Sequence, residues 1–459
     1  MNKYKLYMIL GPIFKALETA SDIITPFLMA MVIDTGIANN DRTYIYTMCG
    51  FICVLNLVSF CFTVICQKCS SLAQMGVCKD IRHDCFAHIN TLSHAELDKF
   101  STVTLTNRIV HDVDQIGVAV GMTIRNVARA PFLIIGSLIM VSIIEWRLAL
   151  IFLVMSPIIL LIVLSIMKRN NPRYVELKTK LDNVTNVARD NLDSVRVVRA
   201  FNKQAYETKR FDQTNKEFTK TNMSIAKAAS LLQPLISVVV NFSIIAIIWF
   251  GSLEVNVGSI TTGNLLAFIN YLTTISAALV VIARLIIIYT RTGASIKRVS
   301  EVFATKNTIG DDKNPSPLTY ETAEGKIEFK NVNFSYNSVK NVVNGLSVTV
   351  GAGQILGIIG GTGSGKSSIV NLIPRFYDVS SGAVLIDDVN VKKIRLHELR
   401  KIVGIVPQNP VLFEGTLRDN MCWRKEDATD EEIIKALKIA QAYDFVRELP
   451  DFLDHKVLR

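Results

Sequence analysis

Hydrophobic positions are not spread evenly along this chain. Six stretches, residues 10–34, 44–66, 131–146, 149–167, 231–253 and 265–289, are apolar over about the 20 residues that a bilayer crossing requires. The third reaches full length only by running back through residues 124–130. The third and fourth are joined by Glu145, Trp146 and Arg147 alone. Two long polar stretches, residues 66–129 and 168–227, separate the others. Within the second, Leu192, Val195, Val198 and Phe201 recur every three residues with polar residues between, which predicts helix over 187–211. The membrane helices are therefore expected to continue beyond the bilayer and turn back there. Pro26 and Pro234 are expected to kink their helices.

After Tyr289 the pattern changes. Residues 291–303 are polar but still helical in character. Residues 306–324, with Asp311, Asp312, Pro315, Ser316 and Pro317, read as a linker. From Gly325 a soluble α/β pattern begins, with strands expected at 326–329, 347–350, 354–359, 383–386 and 402–406. The expected fold class is multi-domain. An all-α six-helix transmembrane domain with long helical loops (1–305) and a linker (306–324) precede an α/β domain (325–459).

Charge orients this arrangement. The chain carries 50 Lys and Arg against 40 Asp and Glu, a net charge of +10. The connections at 36–43, 145–147 and 252–263 hold few cations, whereas the two long polar stretches are basic. Cations collect on cytoplasmic loops, so both long loops and both termini are expected in the cytoplasm of a multi-pass cell-membrane protein. The positive balance follows from that bias and predicts no nucleic-acid partner. Seven of the eight cysteines lie between Cys49 and Cys85. Cys66 and Cys69 form a C-x-x-C, but no second pair stands at zinc spacing, so they read as small buried hydrophobes. Gly11, Pro12, Lys15 and Glu18 interrupt residues 10–20, so the first span is expected to serve as its own insertion signal rather than as a cleaved leader.

Residues 360–367 read Gly360, Gly361, Thr362, Gly363, Ser364, Gly365, Lys366, Ser367, the phosphate-loop pattern. Gly361, Gly363 and Gly365 can adopt backbone angles that other residues resist, so that N–H groups turn inward around phosphates. Lys366 is placed to reach the outer phosphates and Ser367 to hold Mg²⁺. From Ser368 onward the chain can continue as a helix whose N-terminus favours anions. A nucleoside triphosphate is the expected ligand. Tyr336 lies 24 residues before Gly360 and could stack on a base or belong to a strand core. Gln408, 42 residues after Lys366, could coordinate a metal-bound water and sense a γ-phosphate.

Tyr336, the loop and Gln408 occur in the order and spacing of an ABC transporter nucleotide-binding domain. Phe329-Lys330-Asn331-Val332, Ser381-Gly382, Ile386-Asp387, Val406-Pro407-Gln408, Leu412-Phe413 and Asp419-Asn420 agree with it. With Asp112-Val113-Asp114-Gln115 and residues 195–201 in the long loops, the whole chain resembles an exporter-type ABC half-transporter, of the multidrug or lipid exporter kind. That resemblance makes residues 325–459 an incomplete α/β P-loop nucleotide-binding domain and implies ATP and Mg²⁺ as cofactors. Tyr336 would stack on adenine, and residues 360–368 would cradle the nucleotide. Lys366 would bind the β- and γ-phosphates, and Ser367 and Gln408 would hold Mg²⁺. Lys366 and Gln408 would be the catalytic residues present. It also implies a second half-transporter as partner, identical or related. The cargo would be a drug, lipid or peptide, moved by alternating access. The family's Leu-Ser-Gly-Gly-Gln signature, its Asp-Glu strand end and its switch histidine do not occur in the sequence. The expectation is a fragment of a longer transporter. The alternative is a truncated membrane scaffold that binds nucleotide without hydrolysing it.

Lys15, Glu18 and Asp22 share one face of the first span, and Arg284 lies in the sixth. At about 1.5 Å per residue, Glu18 and Arg284 both fall in the cytoplasmic third. Two readings are open: a polar lining for the cargo path, or a structural role, either a Glu18–Arg284 ion pair or Lys15 snorkelling to the headgroups.

Overall fold

A computed structural model describes residues 2–336 and 341–457. The chain forms two compact units, Met1–Leu92 with Glu96–Thr308, and Ser93–Ala95 with Ile309–Arg459.

The first unit is helical. Six helical stretches are long and apolar enough to cross a membrane: Lys5–Ile37, Arg42–Thr91, Thr102–Ile144, Trp146–Asp193, Gln204–Val257 and Thr262–Ala304. Each holds one expected span, the third ending at Ile144 rather than at 146, and several run far past it. Asp41 starts the Arg42–Thr91 helix by accepting the N–H groups of Thr43 and Tyr44. Thr261 caps the last helix by accepting from Asn264 N–H, and Gly258 (φ +82°) ends the one before it. Asp34 closes that end of the bundle by accepting Gly263 N–H at 2.8 Å and the Thr261 hydroxyl.

The inner faces mesh around Phe152, Phe268, Tyr271, Leu272 and Ile275, all fully buried. The Tyr271 hydroxyl donates to Ile23 O at 2.8 Å and ties the last helix to the first. Outward positions such as Phe60, Ile143, Leu153, Phe242 and Trp249 are exposed, a surface suited to lipid, where packing and polar ties rather than water exclusion hold helices together.

Two local expectations change here. The helix expected over 187–211 is broken. Trp146–Asp193 ends at Ser194, a short helix covers Val195–Ala200, and Gln204–Ser230 runs back. Asn202 makes the turn with φ +52°, a conformation asparagine tolerates. The apolar period there faces outward, with Leu192 and Phe201 exposed. Pro234 falls in the first turn of Leu232–Val257, where a missing N–H costs nothing, so it need not kink the helix.

The second unit is built on an antiparallel sheet. Strand β1 (Ile327–Phe334) lies between β2 (Val343–Val350) and β3 (Ser381–Ile386), and β4 (Val389–Asn390) flanks β3. Phe329, Val332 and Phe334 of β1 pack with Val384, Ile386, Leu372, Ile394 and Leu399. Asp387 accepts the N–H groups of Gly325 and Lys326 and fixes the entry to β1. A second cluster (Ile433, Leu437, Val446 and Leu453) forms around the helix Asp430–Ile439. The expected strands at 354–359 and 402–406 are not strands. Residues 354–359 run unpaired, and Ile402 ends the helix Leu396–Ile402. Ile355, Ile359 and Val406 are 98%, 97% and 94% exposed. An apolar run supplies the right side chains, but a strand also needs a ladder partner, and none pairs with these runs among the described residues.

Candidate functional site

The phosphate loop follows the unpaired run 354–359 and feeds the helix Lys366–Leu372, whose N-cap is Gly365 at φ +92°. Glycine is required there. A Cβ on Gly365 would stand 2.9 Å from Val342 O and 3.2 Å from Val342 Cγ1, in a conformation that L residues rarely adopt. Gly363 also has positive φ (+81°), while Gly361 does not, so two of the three expected left-handed positions are left-handed. A Cβ at Gly361 or Gly363 would meet nothing within 4 Å, which leaves the loop's face open.

The first helical bond runs from Ile369 N–H to Gly365 O at 3.0 Å. The N–H groups of Lys366, Ser367 and Ser368 therefore begin the helix without intrahelical partners, the arrangement that suits an anion. The Lys366 ammonium folds back over the loop. It donates to Gly360 O at 2.8 Å, to Gly361 O at 2.7 Å and to Ser364 Oγ at 3.4 Å. These neutral acceptors hold the cation where phosphate oxygens could replace them with stronger, charge-assisted bonds. Thr362 and Ser367 are exposed. The Ser367 hydroxyl is a hard oxygen donor of the kind Mg²⁺ takes alongside phosphate oxygens.

Ser368 is buried and its hydroxyl lies 2.9 Å from that of Tyr336. The Tyr336 ring is 49% exposed and packs edge-on against Phe334 (centroids 4.8 Å apart) and Tyr377 (5.0 Å). It thus belongs partly to an aromatic cluster and keeps area open for a planar ligand. Tyr377 was not picked out by motif spacing. The adjacent aromatic residues Phe376 and Tyr377, just after the phosphate-loop helix, were the signal. Tyr336 and residues 360–368 are brought together. Gln408 is exposed in the irregular run after the helix Leu396–Ile402, and no hydrogen bond joins it to the loop among the described residues.

In the first unit, Lys15 Nζ lies 2.6 and 2.7 Å from the two Glu18 carboxylate oxygens, and both residues are buried, 7% and 6% exposed. The expected Glu18–Arg284 pair is replaced by this one, because a spacing of three on one helix face brings the ammonium directly onto the carboxylate. Asp22 pairs with Arg129 at 3.1 Å beside a cavity of about 450 Å³ that Asn56 and Asn126 also line. Arg284 is exposed and lines a neighbouring cavity of about 470 Å³ with Gln233, Asn241 and Ser276. Both cavities reach Ala277 and Val281.

Comparison with known proteins bears on both units. Residues 8–279 match a family model described as ABC transporter transmembrane region, and residues 343–453 one described as ABC transporter. The chain is 30% identical over 455 residues to the uncharacterised ABC transporter ATP-binding protein YfiB of Bacillus subtilis, covering 99% of this chain and 79% of that protein. It is 30% identical over 451 residues to the uncharacterised ABC transporter ATP-binding protein Rv1273c of Mycobacterium tuberculosis, covering 97% and 77%. It is 28% identical over 459 residues to an ATP-dependent lipid A-core flippase of Yersinia pestis, covering 99% and 78%.

Proposed function

The chain belongs to the ABC transporter family, as an exporter-type half-transporter, and from that premise we propose that it moves its cargo by alternating access coupled to Mg-ATP. The supporting observation is the Lys366 ammonium, held by three loop oxygens over an open, glycine-lined cradle. Domain limits of 1–305, 306–324 and 325–459 accompany this reading, with both termini in the cytoplasm. A second half-transporter, identical or related, completes the assembly.

Bound Mg-ATP supplies the phosphoryl group whose transfer drives the cycle. The chain's own residues bind and orient it. Lys366 exchanges Gly360 O and Gly361 O for β- and γ-phosphate oxygens. The free N–H groups of the first helical turn add oriented dipoles. Tyr336 offers its open ring to adenine while Ser368 holds its hydroxyl. Ser367 and Gln408 would hold Mg²⁺ through their neutral side-chain oxygens. Among drug, lipid and peptide cargoes, the similarity to a lipid A-core flippase supports a lipid.

The test is binding of a fluorescent ATP analogue to the purified full chain with and without Mg²⁺. Wild type should bind, with Mg²⁺ strengthening it, and Lys366→Ala should weaken binding at least tenfold. Equal binding by both would sink the assignment. Hydrolysis detected on the same sample would exclude a scaffold that only binds nucleotide.

A further inference from the structure

The antiparallel pair formed by the helices Trp146–Asp193 and Gln204–Ser230 encloses a groove of about 660 Å³ just beyond the fourth and fifth spans. Arg173 Nη1 donates to Ser224 Oγ at 3.0 Å and fixes the register of the two helices. Five cations line the groove: Arg169 and Arg173 on one helix, Lys216, Lys220 and Lys227 on the other. No acidic side chain lines it. Lys216 is paired with Asp212 on its own helix. The side chains of Arg169, Lys220 and Lys227 have neither ion pair nor hydrogen bond among the described residues.

The chain balances this charge only in part: Asp212 pairs with Lys216, and Glu176, held below its ordinary range chiefly by Lys180, also feels Arg173. Arg169 and Arg173, and likewise Lys216 and Lys220, are like charges four residues apart, which destabilises a helix. Here the two sets face each other across one groove. The surroundings indicate which anion fits. Met223 and Leu231 line the same groove and are exposed. Leu231 begins the fifth span. Arg169 is two residues beyond Met167, the last residue of the fourth span, and Lys227 is four residues before Leu231. At about 1.5 Å per residue, both charges lie within several ångströms of the hydrocarbon edge, at headgroup depth. A free phosphate would use the cations but not the apolar wall. An acyl chain along Leu231, with its phosphate among Arg169, Arg173 and Lys227, uses both.

We propose that this groove binds an anionic phospholipid from the leaflet next to the two long polar loops. Basic pockets between helices at the membrane face recognise such headgroups through charge. The site rests on the span assignment and is independent of the phosphate loop.

The full chain, purified in neutral detergent, is titrated with phosphatidylglycerol or phosphatidylcholine and followed by native mass spectrometry. Phosphatidylglycerol should bind about tenfold more tightly, and rising ionic strength should erode that preference. Arg169→Gln with Lys227→Gln should remove the preference and leave phosphatidylcholine binding unchanged. Lys178→Gln with Lys209→Gln, exposed cations outside the groove, should keep it. Lys220→Gln alone should weaken it partially. Equal binding of the two lipids, equal losses in both double variants, or displacement of the lipid by millimolar inorganic phosphate would each overturn the proposal. ATP-analogue binding on the same samples keeps the two sites apart. Lost lipid preference with intact nucleotide binding concerns the groove, and the reverse concerns the phosphate loop.

Discussion

The hydroxyls of Tyr336 and Ser368 lie 2.9 Å apart, so the aromatic residue just past β1 is tied to the first turn of the helix behind the phosphate loop. The bond fixes the ring beside the cradle and separates two contributions of Tyr336. Tyr336→Phe keeps the ring and loses the tie, at a cost of about 0.5–1.5 kcal/mol in stability. Tyr336→Ala also loses the stacking surface, worth about 0.5–1.5 kcal/mol to a planar ligand. Titration with an ATP analogue should show Phe within about threefold of wild type and Ala weaker by up to about tenfold. Equal affinity of Ala and wild type would mean that the ring serves only its aromatic cluster.

Gly365 and Gly363 should differ in what alanine does to them. Both have positive φ, which costs an L residue about 1–3 kcal/mol. Only at Gly365 does a new Cβ also meet backbone, 2.9 Å from Val342 O. Gly365→Ala should therefore lower the melting temperature more than Gly363→Ala and distort the start of the helix. Comparing the two by thermal denaturation with and without nucleotide checks this.

The buried Lys15–Glu18 pair makes a signed prediction. Removing one partner leaves the other as a buried, unpaired charge, which costs about 3–5 kcal/mol. Glu18→Gln and Lys15→Gln should each destabilise the chain strongly, and the double variant should recover much of the loss. Arg284→Gln should change stability little, since Arg284 is exposed. A double-mutant cycle on melting temperature in detergent decides it. A cycle showing coupling between Glu18 and Arg284 would restore the pair that the structure replaces.

Acid should loosen the region around residues 416–457 through named carboxylates. Thr416 donates its backbone N–H, and its hydroxyl also meets Asp419, holding that carboxyl below its ordinary 3.8. Arg418 does the same for Asp430. A carboxyl depressed in the folded state adds stability that is complete above its unfolded value and is lost as pH falls through the folded one. Stability should thus hold to about pH 4 and fall below it. Asp419→Asn should lower stability at pH 7 and flatten the decline between pH 4 and pH 2, as read by circular dichroism.

Much of this could be read in advance where the cause is local. Twenty apolar residues must cross or bury whatever their neighbours do, so the six spans were legible. The phosphate loop was legible because φ > 0 at Gly363 and Gly365 demands glycine regardless of context. The site was less complete. Tyr377 beside Tyr336 was missed, because which aromatic residues share a cluster depends on how β1 and the phosphate-loop helix pack. The helix break at Ser194 and Asn202 was missed because the apolar period of Leu192 and Phe201 reads the same whether it faces a core or the outside.

By itself, then, the sequence determined the order of the membrane and α/β parts, the basic character of the long loops and the glycines that the turns at Gly363 and Gly365 demand. Those follow from composition, spacing and backbone stereochemistry within a few residues. Only the tertiary structure decided that Tyr336 anchors on Ser368, that Asp22 takes Arg129, and that residues 354–359 run without a ladder partner. Each depends on which remote segments the fold brings side by side. Distance settles such choices, and distance between remote residues exists only once the chain has folded.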